Sequence, residues 1–138
     1  MLALGERLGR AASGGGMVYL NGDLGAGKTT LVRGMLRGMG HRGPVRSPTF
    51  TLVEPYTCGA QRVTHLDLYR LGDPEELEYI GVRDYLEPDV LCLVEWPERG
   101  AGHLPPADLS IDIAFEGGGR RLDLTAETPV GARILDKI

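Results

Sequence analysis

Eight residues, Gly22-Asp23-Leu24-Gly25-Ala26-Gly27-Lys28-Thr29, satisfy the spacing G-x-x-x-x-G-K-[ST], and their types suit a phosphate. Glycines at 22, 25 and 27 let the backbone take left-handed conformations, so that successive N–H groups turn inward around an anion. Lys28 brings a point charge to the β- and γ-phosphates, and the Thr29 hydroxyl is a hard oxygen ligand for Mg²⁺. The expected phosphate-binding set is therefore Gly22, Asp23, Leu24, Gly25, Ala26, Gly27, Lys28, Thr29 and Thr30. Two carboxylates stand where such a site holds its Mg²⁺ through water: Asp67 and Glu95, each at the end of an apolar run. By the purity of the run before it, Glu95 is the better of the two. One would hold the metal and the other would orient water, so Lys28, Asp67 and Glu95 form the candidate catalytic set. In Ser47-Pro48-Thr49-Phe50 two hydroxyls flank a rigid proline, as in loops that sense a γ-phosphate; a proline turn leading into a strand reads equally well.

A phosphate loop works only between a strand and a helix whose N-terminus faces the anion. Met17-Val18-Tyr19-Leu20 is a short apolar run suited to a strand buried on both faces. Leu31, Val32, Met35, Leu36 and Met39 then recur at helical spacing, and Gly38 and Gly40 supply the stop. Leu4, Leu8, Ala11 and Ala12 form one face of an earlier helix that begins close to Met1, ended by Ser13-Gly14-Gly15-Gly16.

Phe50-Thr51-Leu52-Val53 and Arg62-Val63-Thr64-His65-Leu66 predict an antiparallel hairpin, which runs into Asp67. Asp73-Pro74-Glu75-Glu76 predicts a helix start with Asp73 as N-cap, Pro74 at N1 and Glu76 reaching back; Gly81 should break that helix in two. Val90-Leu91-Cys92-Leu93-Val94 predicts a central strand. Leu109–Ala114 and Arg121–Thr125 alternate around Glu116-Gly117-Gly118-Gly119 and predict a second hairpin. Arg120 or Arg121 at its tip is placed to stack on a base. Residues 128–138 predict a closing helix. Trp96 reads as a plug at a strand end or as a partner or nucleotide contact, and Arg70 and Arg99 as transition-state charges or surface arginines.

The 138 residues predict one domain, 1–138. The fold class is α/β, P-loop NTPase-like, with a mostly parallel central sheet flanked by helices and carrying antiparallel hairpin strands. A net charge of −4 argues against unaided binding to nucleic acid, which needs a cationic footprint. A local exception is the cluster Arg33, Arg37, His41, Arg42 and Arg46, read as a solvated face or as a docking surface for RNA phosphate or an acidic protein. Two cysteines, no long apolar span and no signal-peptide pattern point to the cytoplasm, with no membrane contact. His41, His65 and His103 lack metal-ligand spacing.

Among nucleotide enzymes, a GTPase needs Asn-Lys-x-Asp to read guanine, and the only Asn is Asn21. A small-molecule or nucleotide kinase needs an acceptor pocket and usually an arginine-bearing lid, for which the short acidic segment between Asp67 and Glu95 gives no support. An ATPase or ATP-dependent switch remains, beside a module that binds ATP without hydrolysing it.

Four motifs in order, Gly22 through Leu31, Ser47-Pro48-Thr49-Phe50, His65-Leu66-Asp67-Leu68-Tyr69-Arg70 and Glu95-Trp96-Pro97-Glu98-Arg99, together resemble the bacterial TsaE family. That resemblance covers nearly the whole chain. It implies a weak ATPase supporting tRNA threonylcarbamoyladenosine (t6A) synthesis, with ATP/ADP and Mg²⁺ as cofactors. It also implies TsaD and TsaB as partners and tRNA met only through that complex. Carried onto this sequence, it implies Thr29 and Glu95 as the firmest Mg²⁺ ligands, with Asp67 near the metal or water. Ser47 and Thr49 would form a switch-like segment, and Trp96 would lie beside the site. Family members usually carry extra residues before the first helix, including a Thr near the nucleotide; here the chain starts at that helix.

Overall fold

The apolar run at 90–94 does form a strand. It spans Leu91–Glu95, with every residue buried. Leu91 and Leu93 face one layer of the core, and Cys92 and Val94 face the other. Burial on both faces is why the run shows no polar alternation. The structure is a computed structural model that describes residues 1–48 and 50–138.

In chain order the elements are α1 (Leu2–Ala11), β1 (Gly16–Gly22), α2 (Lys28–Gly38), β2 (Val53–Cys58), β3 (Gln61–Asp67), α3 (Glu76–Tyr79), β4 (Leu91–Glu95), β5 (Leu109–Glu116), β6 (Gly119–Ala126) and α4 (Pro129–Asp136). One six-stranded sheet takes the order β2-β3-β4-β1-β5-β6. Strands β3, β4, β1 and β5 run parallel, and β2 and β6 close the two edges antiparallel. The expected α/β class, with its parallel centre and two hairpins, is the one observed. Pro55 lies on β2, an edge strand, where a missing N–H does least harm.

The helices α1 and α2 cover one face. Leu8, Leu31, Val32 and Leu36 join Val18, Leu20 and Leu93 in a single buried cluster there. The opposite cluster gathers Leu66, Leu68, Leu77, Val82, Cys92 and Val94. Where α1 meets α2, glycines set the spacing. A Cβ on Gly9 would lie 2.1 Å from the Met35 carbonyl oxygen, and one on Gly38 would lie 2.2 Å from that of Glu6. Only residues without a Cβ allow backbones this close.

Two local expectations need correction. The first hairpin strand begins at Val53, not at Phe50. The Leu52 amide donates to the Pro48 carbonyl at 2.8 Å, which closes a turn, and Leu52 sits at φ 68°, outside any strand geometry. Asp73 does not cap a helix at Pro74: α3 is a single turn from Glu76, with Glu75 at its N-cap. The Asp73 carboxylate instead accepts the Glu75 amide at 3.0 Å and builds the turn before the helix. Gly81, at φ 70°, does break the segment, and a 3₁₀ turn follows at Val82–Tyr85. Thr49, half of the expected switch pair, lies outside the described residues. Among the described residues no helix is long and apolar enough to cross a membrane.

Candidate functional site

Parallel strands bring their carboxyl ends to one rim of the sheet, and ligands of open α/β sheets bind outside that rim. Here the register aligns Leu20 of β1 with Glu95 of β4, and Glu95 with Asp67 of β3. The glycine loop leaves β1 at this rim and enters α2 at Lys28. Gly27, at φ 113°, is the residue that turns the loop into the helix. The result is a cleft of about 400 Å³ whose lining includes Gly25, Gly27, Lys28, Thr29, Thr30, Ser47, Asp67, Arg70, Glu95 and Trp96. The amino end of α2, whose first N–H groups have no intrahelical acceptor, opens onto it.

The expected catalytic residues converge there. Lys28 is 5% exposed, Asp67 5% and Glu95 3%. The Lys28 ammonium donates to the carbonyls of Gly22 at 2.6 Å and Asp23 at 3.0 Å. It also lies 4.3 Å from the centre of the Trp96 ring. Burial pushes its pKa below the ordinary lysine value, and the nearby carboxylates of Glu95, Asp67, Asp23 and Glu98 oppose that shift. The Thr29 hydroxyl donates to Glu95, at 3.1 Å to Oε2 and 3.3 Å to Oε1. Asp67 is held differently. Its Oδ2 accepts the Ser47 hydroxyl at 3.0 Å, and its Oδ1 accepts the Tyr69 amide at 3.1 Å. The two carboxylates thus divide: Glu95 faces the loop helix, and Asp67 faces the loop that carries Ser47.

Trp96 is half-buried and takes a left-handed backbone, φ 57°, ψ 50°. For a non-glycine residue this costs roughly 1–2 kcal/mol. It reverses the chain after β4, and its indole lies beside Lys28 on the cleft wall. Trp96 both packs against the core cluster that holds Leu66 and Val94 and lines the cleft. Arg70 lies on the cleft wall too, over the ring of Phe50 at 4.9 Å, while Phe50 is 85% exposed. Arg99 lies outside the cleft lining, over Tyr69 and Trp96. Arg120 is not at hand for a base: its Nε donates to the Ala26 carbonyl at 2.8 Å, and its guanidinium covers Phe115 at 4.1 Å. The β5–β6 hairpin thereby braces the glycine loop. Arg33, Arg37, Arg42 and Arg46 do not line the cleft. Leu24 lines it with 66% of its surface exposed, whereas Gly22, Asp23 and Ala26 do not line it.

Sequence reasoning passed over His65. It is fully buried on β3, and its Nε2 lies 2.6 Å from Glu95 Oε2. The available signals were its place at the head of the motif His65 to Arg70 and its position inside an apolar run, two residues before a carboxylate. The donor set as a whole, one hydroxyl and two carboxylates, consists of hard oxygens suited to Mg²⁺. Among the described residues no trio of His, Cys, Asp or Glu forms an all-protein metal cage. Mg²⁺ sites commonly consist of one or two carboxylates completed by phosphate and water.

Comparison with known proteins points one way. The family model described as "Threonylcarbamoyl adenosine biosynthesis protein TsaE" matches residues 1–122. A Haemophilus influenzae protein named tRNA threonylcarbamoyladenosine biosynthesis protein TsaE is 56% identical over 119 residues, 86% of this chain and 75% of that one. A Nostoc protein of the same name is 38% identical over 99% of this chain and 85% of its own length. A Bacillus subtilis protein of that name is 40% identical over 80% and 68%. The crystal structure of Bacillus subtilis YdiB superposes with a TM-score of 0.78 at 27% identity, covering 99% of this chain and 87% of that one.

Proposed function

The chain belongs to the TsaE family of threonylcarbamoyladenosine biosynthesis proteins, and from that premise we propose that it is the family's Mg²⁺-dependent ATPase. It acts in the cytoplasm with TsaD and TsaB and meets tRNA through them. One observation carries the reading: Thr29, the last residue of the glycine loop, reaches across the cleft to Glu95 at 3.1 Å. A hydroxyl at the start of a loop helix facing a carboxylate at a strand end is the pairing a nucleotide-bound Mg²⁺ requires.

On this reading the loop amides and the start of α2 receive the phosphates. Lys28 exchanges the carbonyls of Gly22 and Asp23 for phosphate oxygens. Thr29 and Glu95 hold Mg²⁺, with Asp67 as the further carboxylate. When bound, the metal neutralises charge on the transferring phosphate. Asp67 orients the attacking water or accepts its proton, and its bond to Ser47 ties that state to the loop ahead of β2. A partner that grips this loop would read the nucleotide state. On this reading basal turnover is slow until a partner completes the site.

The test is phosphate release from ATP by this protein alone and with cognate TsaD and TsaB, with Lys28→Ala as the blank. Stimulation by the partners supports the proposal. Binding of ATP with no hydrolysis in either case would make the chain a non-catalytic module. Rapid turnover indifferent to partners, or transfer of phosphate to a small acceptor, would overturn it in favour of a kinase.

A further inference from the structure

We propose that His65 is the positioning residue for Glu95, fixing the carboxylate toward Thr29; this rests on the nucleotide reading of the cleft. His65 has no exposed surface, and its Nε2 lies 2.6 Å from Glu95 Oε2. The same oxygen accepts the Thr29 hydroxyl at 3.1 Å. His65 pairs in register with Leu93, two residues before Glu95 on the neighbouring strand. The imidazole thus approaches from within the sheet, and the hydroxyl approaches from α2.

Packing does not account for a histidine here. Its Nδ1 has no hydrogen-bond partner among the described residues. A buried polar atom left unpaired is costly, and an apolar side chain of similar size would fill the space without that cost. What the histidine supplies is the other nitrogen. An ionised carboxylate only accepts hydrogen bonds, so Nε2 carries the proton and donates. With the proton on Nε2, the unpaired Nδ1 is a bare lone pair, cheaper to bury than an unpaired N–H. Short bonds from a ring N–H to a carboxylate are among the stronger ones available. Glu95 has several side-chain torsions, and a long carboxylate at a strand end would otherwise sample many orientations. The His65 bond removes that freedom before any ligand arrives.

The experiment is calorimetric titration of the full chain with ATP, with and without Mg²⁺, for wild type, His65→Phe, His65→Gln, His65→Asn and Glu95→Gln. Phe keeps a ring but loses the donor. Gln can place an amide N–H near the Nε2 position, and Asn is too short. In wild type, Mg²⁺ tightens ATP binding, and Glu95→Gln loses that gain. His65→Phe should reduce the gain roughly 10–100-fold, as loss of outer-shell partners does, while leaving metal-free affinity unchanged. His65→Gln should recover most of it, and His65→Asn should not. A folded His65→Phe with the wild-type Mg²⁺ gain overturns the role of His65 alone. If His65→Phe does not fold, equal behaviour of the Gln and Asn variants overturns it. A wild-type protein that binds no ATP with Mg²⁺ overturns the nucleotide reading, and this role with it.

Discussion

Gly9→Ala sets two physical effects against each other at one position. Gly9 lies within α1, and replacing a helical glycine by alanine ordinarily stabilises by about 1 kcal/mol. Here the new Cβ would lie 2.1 Å from the carbonyl oxygen of Met35, 2.8 Å from its carbonyl carbon and 2.9 Å from its Cα. All three atoms are backbone, so no rotamer relieves the overlap. The helices must part by roughly 1 Å, which loosens a close-packed contact along their length. Overpacking costs about 1–3 kcal/mol in ordinary cores, and a clash with backbone belongs at the upper end. After the propensity gain, the net loss should be about 2 kcal/mol, or roughly 5–8 °C in melting temperature for a chain of this size. Thermal and urea unfolding of the two proteins measure it. Because α2 begins at Lys28 and Thr29, the proposed ATP binding should weaken as well. A Gly9→Ala protein as stable as wild type, or more so, would refute the claim that glycine is present for helix approach.

Two further predictions concern other parts of the sheet. The Asp108 carboxylate accepts the Met17 amide at 2.7 Å on one oxygen and the Thr128 hydroxyl at 2.7 Å on the other, so it ties β1 to the N-cap of α4. Asp108→Ala leaves that amide unpaired and should cost about 2–3 kcal/mol by urea unfolding; a loss under about 0.5 kcal/mol would show the tie to be idle. Burial pushes the Cys92 thiol from an ordinary 9.0 up to about 12. The unfolded thiol therefore ionises first as pH rises, and unfolding is favoured. Its contribution to stability is complete below pH 9 and is lost between 9 and 12, at about 1.4 kcal/mol per pH unit. Cys92→Ala should remove that share of the alkaline slope in unfolding measured at several pH values, and an unchanged slope would contradict it.

Much of this arrangement was legible in the chain, because local signals and fold agreed. The glycine loop lies between an apolar run and a helical period, so strand, loop and helix followed from composition and spacing. Glu95 and Asp67 were legible because each ends a run of buried residues, and in a parallel sheet strand ends share a rim. What divides the two carboxylates was not legible. The bonds from Thr29 to Glu95 and from Ser47 to Asp67 depend on strand order, which spacing does not encode. His65 looked like one more residue in a strand, because its partner lies on the neighbouring strand. Gly38 was read as a helix stop, and Gly5, Gly9 and Gly34 carried no signal of their own; only the approach of one helix to the other gives the four a purpose. The start of β2 was misplaced because Phe50 to Val53 has strand-like composition, while a carbonyl-to-amide turn from Pro48 to Leu52 decides the backbone.

The strand order also bears on how the chain is made. β1 is central and carries the glycine loop, yet both its neighbours, β4 and β5, come from the second half of the sequence. During synthesis the residues that emerge first, Met17 to Gly22, wait with both edges open until Leu91 and then Leu109 have left the ribosome. Pairing of this range is slow, and an apolar strand with bare edges invites association with other chains. The hairpin β2–β3 can form meanwhile from adjacent residues, but it cannot dock until β4 lies between it and β1. The loop therefore acquires its final shape late, when β4 places Glu95 opposite Thr29 and β6 brings Arg120 onto the Ala26 carbonyl. If the full chain holds ATP as proposed, a nascent chain stopped short of β5 should be unable to, whatever the integrity of its loop sequence.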